Sequence, residues 1–453
     1  MKTDCVIAGN SLSCLILASL IKEKNITLVT NFNFLGGIFN GIKFGDIKFD
    51  FGMNYFEIFK DKNDSIVNYN PSLRNDFLNH TKVINDFINS KIKIKKVKKG
   101  KIFINGEIHE DYLIFNDLSF FTNLNHIEKT KILNDMPDIF ESSIHPKYKY
   151  ENPLFYEISY EQICIELYGN YFYKNYLEPF LLKALNISGK SIPAIFHRLS
   201  WLPLLFPESI KSSIEGSPYK GENNFYYPES ESFSQFINLL KLEILNNKRV
   251  KIIEGNITSI TNNNIDVEGS NIGFDKLVWG QKIHSLDELF SCKKVQISKT
   301  SLILCFINLE STNLKNIFSV LNILDKSTPI YRITNQSVNL KSTETVKLCV
   351  EINKGFLNNN FPSSNTFHLI DDFLMNNNII RNNLKQSEIK ILNLDNVVDL
   401  PTFDNYKIFE SLRANYDNFN FLSPAESFFS NSINDQIVES HKTSFILNNE
   451  LFR

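Results

Sequence analysis

The first 30 residues run strand, turn, helix, strand, and this order constrains the fold more than any other feature. Residues 4–8 and 26–30 are short apolar runs that predict buried strands. Residues 12–24 have the apolar spacing of a helix, and Gly9 opens the turn before it. Two strands joined by a helix within about 30 residues form a parallel pair with a right-handed crossover. The opening therefore predicts an α/β fold with a parallel sheet.

Glycine is scarce but concentrated near this opening. The chain has 17 glycines in 453 residues, and six of them fall within the first 52, at positions 9, 36, 37, 41, 45 and 52. A glycine turn before a helix lets backbone N–H groups approach a pyrophosphate. The sequence fingerprint of such a dinucleotide-binding turn is Gly-x-Gly-x-x-Gly, followed by an acidic residue that ends the second strand. The corresponding residues here are Gly9, Ser11, Cys14 and Thr30, so one of four positions matches.

Charge and metal-ligand spacing exclude several classes of function. Lysine and arginine total 48 against 50 acidic residues, a net charge of −2, so the chain lacks the basic excess that nucleic-acid binding needs. The basic run at 91–101 alternates as a solvated strand and turn would. The eight histidines have no metal-ligand spacing, and none of the six cysteines forms a Cys-x-x-Cys pair. We expect no metal site.

The cysteines and the apolar runs also suggest a cellular location. All six cysteines (5, 14, 164, 292, 305 and 349) lie in apolar stretches, which favours buried, reduced thiols. No apolar run approaches the roughly 20 residues of a membrane span, and no signal peptide is visible. We expect a cytoplasmic protein without a transmembrane segment; peripheral contact with a membrane stays open.

Residues 35–52 resemble a stretch of the flavin amine oxidase-like superfamily, which includes protoporphyrinogen oxidase and UDP-galactopyranose mutase. The family's pattern is Glu-x5-Gly-Gly, a variable insert with glycine, then Phe-Asp-x-Gly. Here Thr30 stands in the acidic position, Gly36-Gly37 follow at the family spacing, and Phe49-Asp50-Phe51-Gly52 closes the pattern. Later stretches resemble the family in the same order along the chain, at 101–112, 168–180, 227–246, 249–260, 276–280 and 421–440.

The resemblance implies a Rossmann-like FAD/NAD(P)-binding domain with an inserted α+β substrate domain. The first would comprise residues 1–56, 225–295 and 405–453, and the second 57–224 and 296–404. Carried over position by position, the cofactor-binding residues would be Gly9, Ser11, Ser13, Cys14, Thr30, Gly36, Gly37, Asp50, Gly52, Ile257, Ser423, Ser432 and Ile433. Asp50 would also fix its turn through hydrogen bonds to the backbone.

Departures from the family pattern leave three functions open. Ser11 and Cys14 replace turn glycines, Thr30 replaces the ribose acid, and Ser423-Pro424 replaces a Gly-Asp pair. FAD would then be bound weakly, bound differently or lost. The first function is an FAD-dependent oxidoreductase that transfers a hydride from a small molecule to flavin. The second is a non-redox flavoenzyme such as a nucleotide-sugar mutase. The third is a degenerate member that binds or converts a ligand without flavin.

The sequence offers few catalytic candidates, because flavin itself carries the redox chemistry in such enzymes. Arg198 follows the Glu178-Pro179-Phe180 segment and could hold a substrate carboxylate or phosphate, the alternative being an ion pair. Lys183 could face the flavin, the alternative being an exposed helix lysine. The substrate and the oligomeric state are not specified by the sequence.

Overall fold

A computed structural model describes most of the chain. The residues it describes are 2–22, 24–58, 81–137, 144–148, 152–221, 223–229, 232–261, 263–291, 293–339, 344–416, 419–422, 425–428 and 432–449. Within these ranges no helix is long and apolar enough to cross a membrane, and no group of His, Cys, Asp and Glu side chains is arranged to hold a metal ion.

Strands form four sheets. In chain order the strands are β1 (Lys2–Ala8), β2 (Ile26–Val29), β3 (Ile42–Phe44), β4 (Ile47–Phe49), β5 (Phe56–Glu57), β6 (Ile94–Lys96), β7 (Lys101–Ile104), β8 (Glu107–Glu110), β9 (Phe225–Pro228), β10 (Val250–Ile253), β11 (Ile257–Ile260), β12 (Asn264–Val267), β13 (Ser270–Trp279), β14 (Lys299–Glu310), β15 (Val320–Ile323), β16 (Ile330–Asn335), β17 (Thr345–Asn353), β18 (Ile389–Asp399) and β19 (Asn420–Phe421).

Helices pack around the two larger sheets. They are α1 (Leu12–Leu20), α2 (Thr81–Asn89), α3 (Ser119–Thr122), α4 (His126–Asp135), α5 (Leu154–Glu157), α6 (Tyr160–Tyr168), α7 (Asn170–Phe172), α8 (Glu178–Leu185), α9 (Pro207–Ile214), α10 (Ser234–Asn246), α11 (Ile283–Ser291), α12 (Lys354–Asn360), α13 (Thr366–Asn376), α14 (Phe403–Asn415) and α15 (Ile433–Asn449). A π-helical turn, Tyr173–Leu177, joins α7 to α8.

The first large sheet contains the predicted parallel unit. Its order is β10-β2-β1-β13-β12-β11, with β19 also paired to β13. Strands β10, β2, β1 and β13 run parallel, whereas β12 is antiparallel to both β13 and β11. Ala8 is level with Val29 on one side and with Trp279 on the other. The carboxyl ends of β1, β2 and β13 therefore meet at one edge of the sheet.

The second large sheet is mainly antiparallel, with the order β18-β14-β17-β16-β15-β7-β8. Its β7–β8 hairpin turns at Asn105 and Gly106, as the sequence predicts, and both residues have positive φ. Strands β5, β9 and β6 form a third, small sheet, and β3 pairs with β4. The predicted α/β fold with a parallel sheet is thus confirmed, and the structure adds a second, mainly antiparallel sheet.

Two details differ from the sequence prediction. Helix α1 ends at Leu20 rather than at residue 24, because Ile21 is already extended and its side chain is fully buried. The stretch 276–280 belongs to a longer strand than the resemblance marks, since β13 begins at Ser270 and its first residues pair with β12. The five cysteines that the structure describes are buried and free, and Cys292 lies outside the described residues.

Candidate functional site

Three neighbouring cavities run from the carboxyl edge of the parallel sheet toward the second large sheet. The edge pocket, about 260 Å³, lies at the ends of β1, β2 and β13 and is lined by Asn10, Thr30, Asn31, Ile257 and Trp279, among others. The carboxyl edge where neighbouring strands lead away in opposite directions is where α/β folds bind ligands. The edge pocket is therefore the expected place for a nucleotide.

The central cavity, about 500 Å³, begins beside the edge pocket. Ser11 and Leu12 at the start of α1 line it, as do the paired glycines Gly36 and Gly37. A Cβ atom added to Gly37 would meet only the Asn10 carbonyl oxygen, 3.7 Å away, so the space in front of this glycine is open. The inter-sheet cavity, about 310 Å³, shares Ile38 with the central cavity and continues it toward the second sheet.

At the start of α1, serine and cysteine replace two glycines of the dinucleotide-binding fingerprint, and neighbouring residues accommodate both side chains. Ser11 is the N-cap, and its Oγ accepts a hydrogen bond from the Cys14 backbone N–H at 3.2 Å. Cys14 replaces the third glycine of the fingerprint, and its Sγ occupies the place where Gly280 would carry a side chain, 2.1 Å from an added Cβ. In this chain the glycine that permits close packing of α1 on the sheet is therefore Gly280, which follows β13, rather than a residue of α1 itself.

The end of β2 carries no acid, and its polar groups bond to Asn10 instead. Asn10 Oδ1 accepts hydrogen bonds from Thr30 Oγ1 at 2.5 Å and from the Asn31 backbone N–H at 2.9 Å. No carboxylate lines the edge pocket among the described residues. At the position where a ribose-binding acid would lie, the polar groups are therefore already hydrogen-bonded within the chain.

Ser13, in the first turn of α1, is bonded to a side chain from the other end of the sequence. Its backbone N–H and its hydroxyl both donate to Gln436 Oε1, at 3.2 and 3.1 Å. Gln436 lies in the first turn of α15 and lines the central cavity. A neutral carboxamide thus covers donors that a pyrophosphate would use.

A buried ion pair lines the inter-sheet cavity. Arg332 donates from Nε and Nη2 to the two carboxylate oxygens of Glu351, both at 2.7 Å, and Tyr331 donates its hydroxyl to Glu351 Oε2 at 2.9 Å. Burial acts against the charge on Arg332, but Glu351 outweighs it and raises the arginine pKa. The guanidinium therefore stays charged, and the pair is a fixed polar wall of the cavity.

Unpaired polar atoms lie beside the same cavity. Asn54 Nδ2 and Asn434 Oδ1 are buried and have no hydrogen-bond partner among the described residues. Both residues line the inter-sheet cavity. Asn434 Nδ2 donates to the Glu57 carbonyl oxygen, which fixes the orientation of this amide. One orphan donor and one orphan acceptor suit a ligand that carries both kinds of group.

Asp50 connects three parts of the molecule. Its Oδ2 accepts hydrogen bonds from the Tyr227 hydroxyl and, at 3.1 Å, from the Phe233 backbone N–H. Its backbone N–H and carbonyl bond to the carboxamide of Gln336, in the turn that follows β16. Burial raises the pKa of Asp50, since a charged carboxylate is poorly solvated there.

Seven of the 13 predicted cofactor residues line the three cavities. Thr30 and Ile257 line the edge pocket, Ser11, Gly36 and Gly37 the central cavity, and Ser432 and Ile433 the inter-sheet cavity. Gly9 packs against Gly280, and Gly52 against the Glu351 carboxylate. Ser423 lies outside the described residues.

The two catalytic candidates have partners within the protein. The Lys183 ammonium is buried rather than exposed, and it donates to the carbonyl oxygens of Ile323 and Asp325 at 3.0 and 2.9 Å. Arg198 is hydrogen-bonded to Glu57 and lies over the Trp201 ring, 5.0 Å from its centroid. Burial lowers the Arg198 pKa to about 10. Neither residue is among those lining the three cavities.

Several residues around the cavities are not predicted from the sequence. Asn10 occupies a variable position of the fingerprint, between Gly9 and Ser11. Its place within this motif is a sequence signal that could have marked it as a site residue. Gln436 meets Ser13 across 423 residues of sequence, and the Arg332–Glu351 pair joins two strands. No local pattern reveals such pairs. They depend on how the strands and helices assemble.

Several solved structures share this architecture, and their alignments cover all or nearly all of this chain. A reduced UDP-galactopyranose mutase aligns over 100% of this chain and 94% of its own, with a TM-score of 0.69 and 12% identity. A proposed protoporphyrinogen oxidase from Exiguobacterium sp. 255-15 aligns over 100% and 99%, with a TM-score of 0.66 and 13% identity. A putrescine oxidase redesigned in cofactor binding aligns over 99% of both chains, with a TM-score of 0.61 and 10% identity.

Sequence comparison alone finds none of this. No family model matches the chain, and neither does any curated protein. The likeness is carried by the arrangement of elements, at identities of 10 to 13%. The resemblance predicted from the motifs is confirmed at the level of the fold: the chain shares its architecture with a UDP-galactopyranose mutase, a proposed protoporphyrinogen oxidase and a putrescine oxidase.

Proposed function

We propose that the protein is an FAD-dependent oxidoreductase acting on a small-molecule substrate. The observation that carries the proposal is the row of three cavities, which starts at the carboxyl edge of a parallel sheet and is lined by the motif residues. A bound flavin supplies the redox chemistry by accepting a hydride from the substrate. The fold of the solved relatives supports this class of enzyme, and the substrate is left open.

The residues fit such a cofactor at three of its four parts, the adenine, the ribityl chain and the ring. Open space in front of Gly37 suits a ribityl chain, and the edge pocket, which is lined by polar side chains together with Ile257 and Trp279, suits an adenine. The orphan atoms of Asn54 and Asn434 suit a heteroaromatic ring with donor and acceptor groups. The pyrophosphate part fits once Gln436 turns away from Ser13.

Each group of residues then has a proposed role. Thr30 and Ile257 would border the adenosine, and the N-terminus of α1 at Ser11, Ser13 and Cys14 would receive the pyrophosphate. Asp50 would hold its turn in place while Gly9 and Gly52 allow close packing of the backbone. Ser432 and Ile433 would border the ring. We also propose the discontinuous two-domain division given above, with the cofactor domain formed by 1–56, 225–295 and 405–453.

The experiment is an absorbance spectrum of the purified protein, followed by titration of FAD with flavin fluorescence as readout. Gly37→Asn should weaken FAD binding by tenfold or more, because its side chain enters the central cavity. Gly45→Asn is the matched control: Gly45 has φ of +60° against +59° at Gly37, and also has free space around it, but lies in the β3–β4 turn. Asparagine tolerates this backbone region at both positions. A protein without flavin colour that does not bind FAD on titration would rule the proposal out.

A second candidate is a flavin-free member of the same fold that binds or converts a ligand by other chemistry. The observation that favours it is that Asn10 and Gln436 already satisfy the polar groups of the cradle. The same titration separates the two candidates, since only the first requires FAD to bind.

A further inference from the structure

Gln436 accepts hydrogen bonds from Ser13, whose backbone N–H is one of the donors at the positive end of α1. Its Oε1 is bonded to Ser13 through both the backbone N–H and the hydroxyl. Helix α1 has nine residues and no acidic residue in its first turn. A helix N-terminus favours an anion through its unpaired N–H groups and its dipole. A neutral carboxamide supplies hydrogen bonds but leaves that charge uncompensated, so a phosphate is the stronger ligand.

The position of Gln436 allows it to be displaced. Its side chain lines the central cavity together with Ser11 and Gly36, so free volume lies beside it. Ser13 itself is completely buried and is held by Ser440, whose hydroxyl donates to the Ser13 carbonyl oxygen at 3.1 Å. The Ser13 donors therefore stay in place when a ligand displaces the carboxamide toward the cavity.

We propose that Gln436 is an internal cap that competes with the pyrophosphate of a dinucleotide for Ser13 and thereby sets the affinity of this chain for its cofactor. The inference rests on the proposed function, because it concerns the same site. It explains how a cradle without its second and third glycines still presents donors to a ligand, at reduced affinity.

The test compares three probes on the full-length protein: FAD, ADP and adenosine. Gln436→Ala removes the competing oxygen and should tighten FAD and ADP binding about tenfold, the value of two neutral hydrogen bonds. Adenosine has no phosphate, so its affinity should not change. Gln436→Glu keeps the shape but adds a charge that bonds Ser13 more strongly and repels phosphate, so it should weaken FAD and ADP binding.

Gln162→Ala is the control, since Gln162 bonds Glu166 within helix α6, away from the cavities. Dissociation constants come from flavin fluorescence for FAD and from calorimetry for ADP and adenosine, and thermal melting verifies that each variant is folded.

The outcomes separate the inference from the function on which it rests. If wild type binds FAD and Gln436→Ala binds FAD and ADP no more tightly, the cap is refuted and the proposed function stands. Equal tightening of adenosine would also refute it, since the effect would not then be at the phosphates. If Gln436→Ala binds FAD and wild type does not, the cap is supported and the wild-type chain is flavin-free. If neither protein binds FAD or ADP, both proposals fail.

Discussion

The two ends of the row of cavities differ in how their polar groups are paired. At the edge pocket and the start of α1, the donors of Ser13, Thr30 and Asn31 all have acceptors within the chain. At the inter-sheet cavity, Asn54 and Asn434 keep buried polar atoms without partners among the described residues. Buried polar atoms are rarely left unpaired without a reason. The polar groups at the edge-pocket end are satisfied within the chain, whereas the inter-sheet end has buried polar atoms that a ligand could pair.

This difference changes the meaning of the degenerate motif. Ser11, Cys14 and Thr30 depart from the fingerprint at one end only, and each departure has a local partner that compensates for it. These three departures therefore rearrange contacts at the start of α1 and the end of β2, whereas the departure at Ser423-Pro424 lies outside the described residues. Substitutions at the two ends test this contrast.

The largest effect is expected at the inter-sheet end, from Glu351→Gln. The substitution leaves the buried Arg332 without its anion, which costs about 3–5 kcal/mol in the free energy of unfolding. Urea denaturation measures the loss. Asp395→Asn is the comparison, because it breaks the exposed pair with Lys354 and should change stability by less than about 1 kcal/mol. Equal effects for the two variants would mean that Arg332 does not depend on Glu351.

The next largest effect is expected at the cradle, from Gly280→Ala. The new methyl group would overlap Cys14 Sγ and should lower the free energy of unfolding by about 1–3 kcal/mol. Adding Cys14→Ala removes the sulfur and should restore most of the loss, as measured by chemical denaturation of the single and double variants. Strictly additive losses would contradict the idea that the glycine has moved from position 14 to position 280.

A smaller effect is expected from Asn10→Ala, which removes the acceptor of Thr30 and Asn31. We expect a loss of about 1–2 kcal/mol in unfolding free energy. Thr30→Val deletes one of the same hydrogen bonds, so the double variant should lose less than the sum of the single variants. A double-mutant cycle from thermal or urea denaturation measures the coupling. Full additivity would show that Asn10 does not hold Thr30.

The smallest effect on stability is expected from Asn54→Leu, at the end with unpaired atoms. Replacing an unsatisfied buried amide with an apolar side chain of similar size should leave the free energy of unfolding unchanged or raise it by up to about 1 kcal/mol. FAD affinity should fall, since the substitution removes a donor from the proposed ring site. If stability falls as it does for Asn10→Ala while FAD affinity is unaltered, Asn54 is structural and the contrast between the two ends disappears.

Much of the architecture follows from local sequence. The apolar spacing between residues 4 and 30 predicts the βαβ unit, and Asn105-Gly106 predicts the hairpin turn. These features depend on residues within a few positions of each other, so a single sequence specifies them. Their order along the chain, together with the Gly36-Gly37 and Phe49-Asp50-Phe51-Gly52 stretches, predicts the fold that this chain shares with the solved structures.

The character of the site required the assembled protein. The sequence shows that the cradle lacks Gly at 11 and 14 and an acid at 30, but not what replaces them. Gln436 reaches Ser13 because α15 and α1 pack together, and Gly280 meets Cys14 because β13 lies beside β1. Short-range periodicity determines which elements form. Which side chains then satisfy one another depends on contacts between residues hundreds of positions apart, and only the tertiary structure decides those.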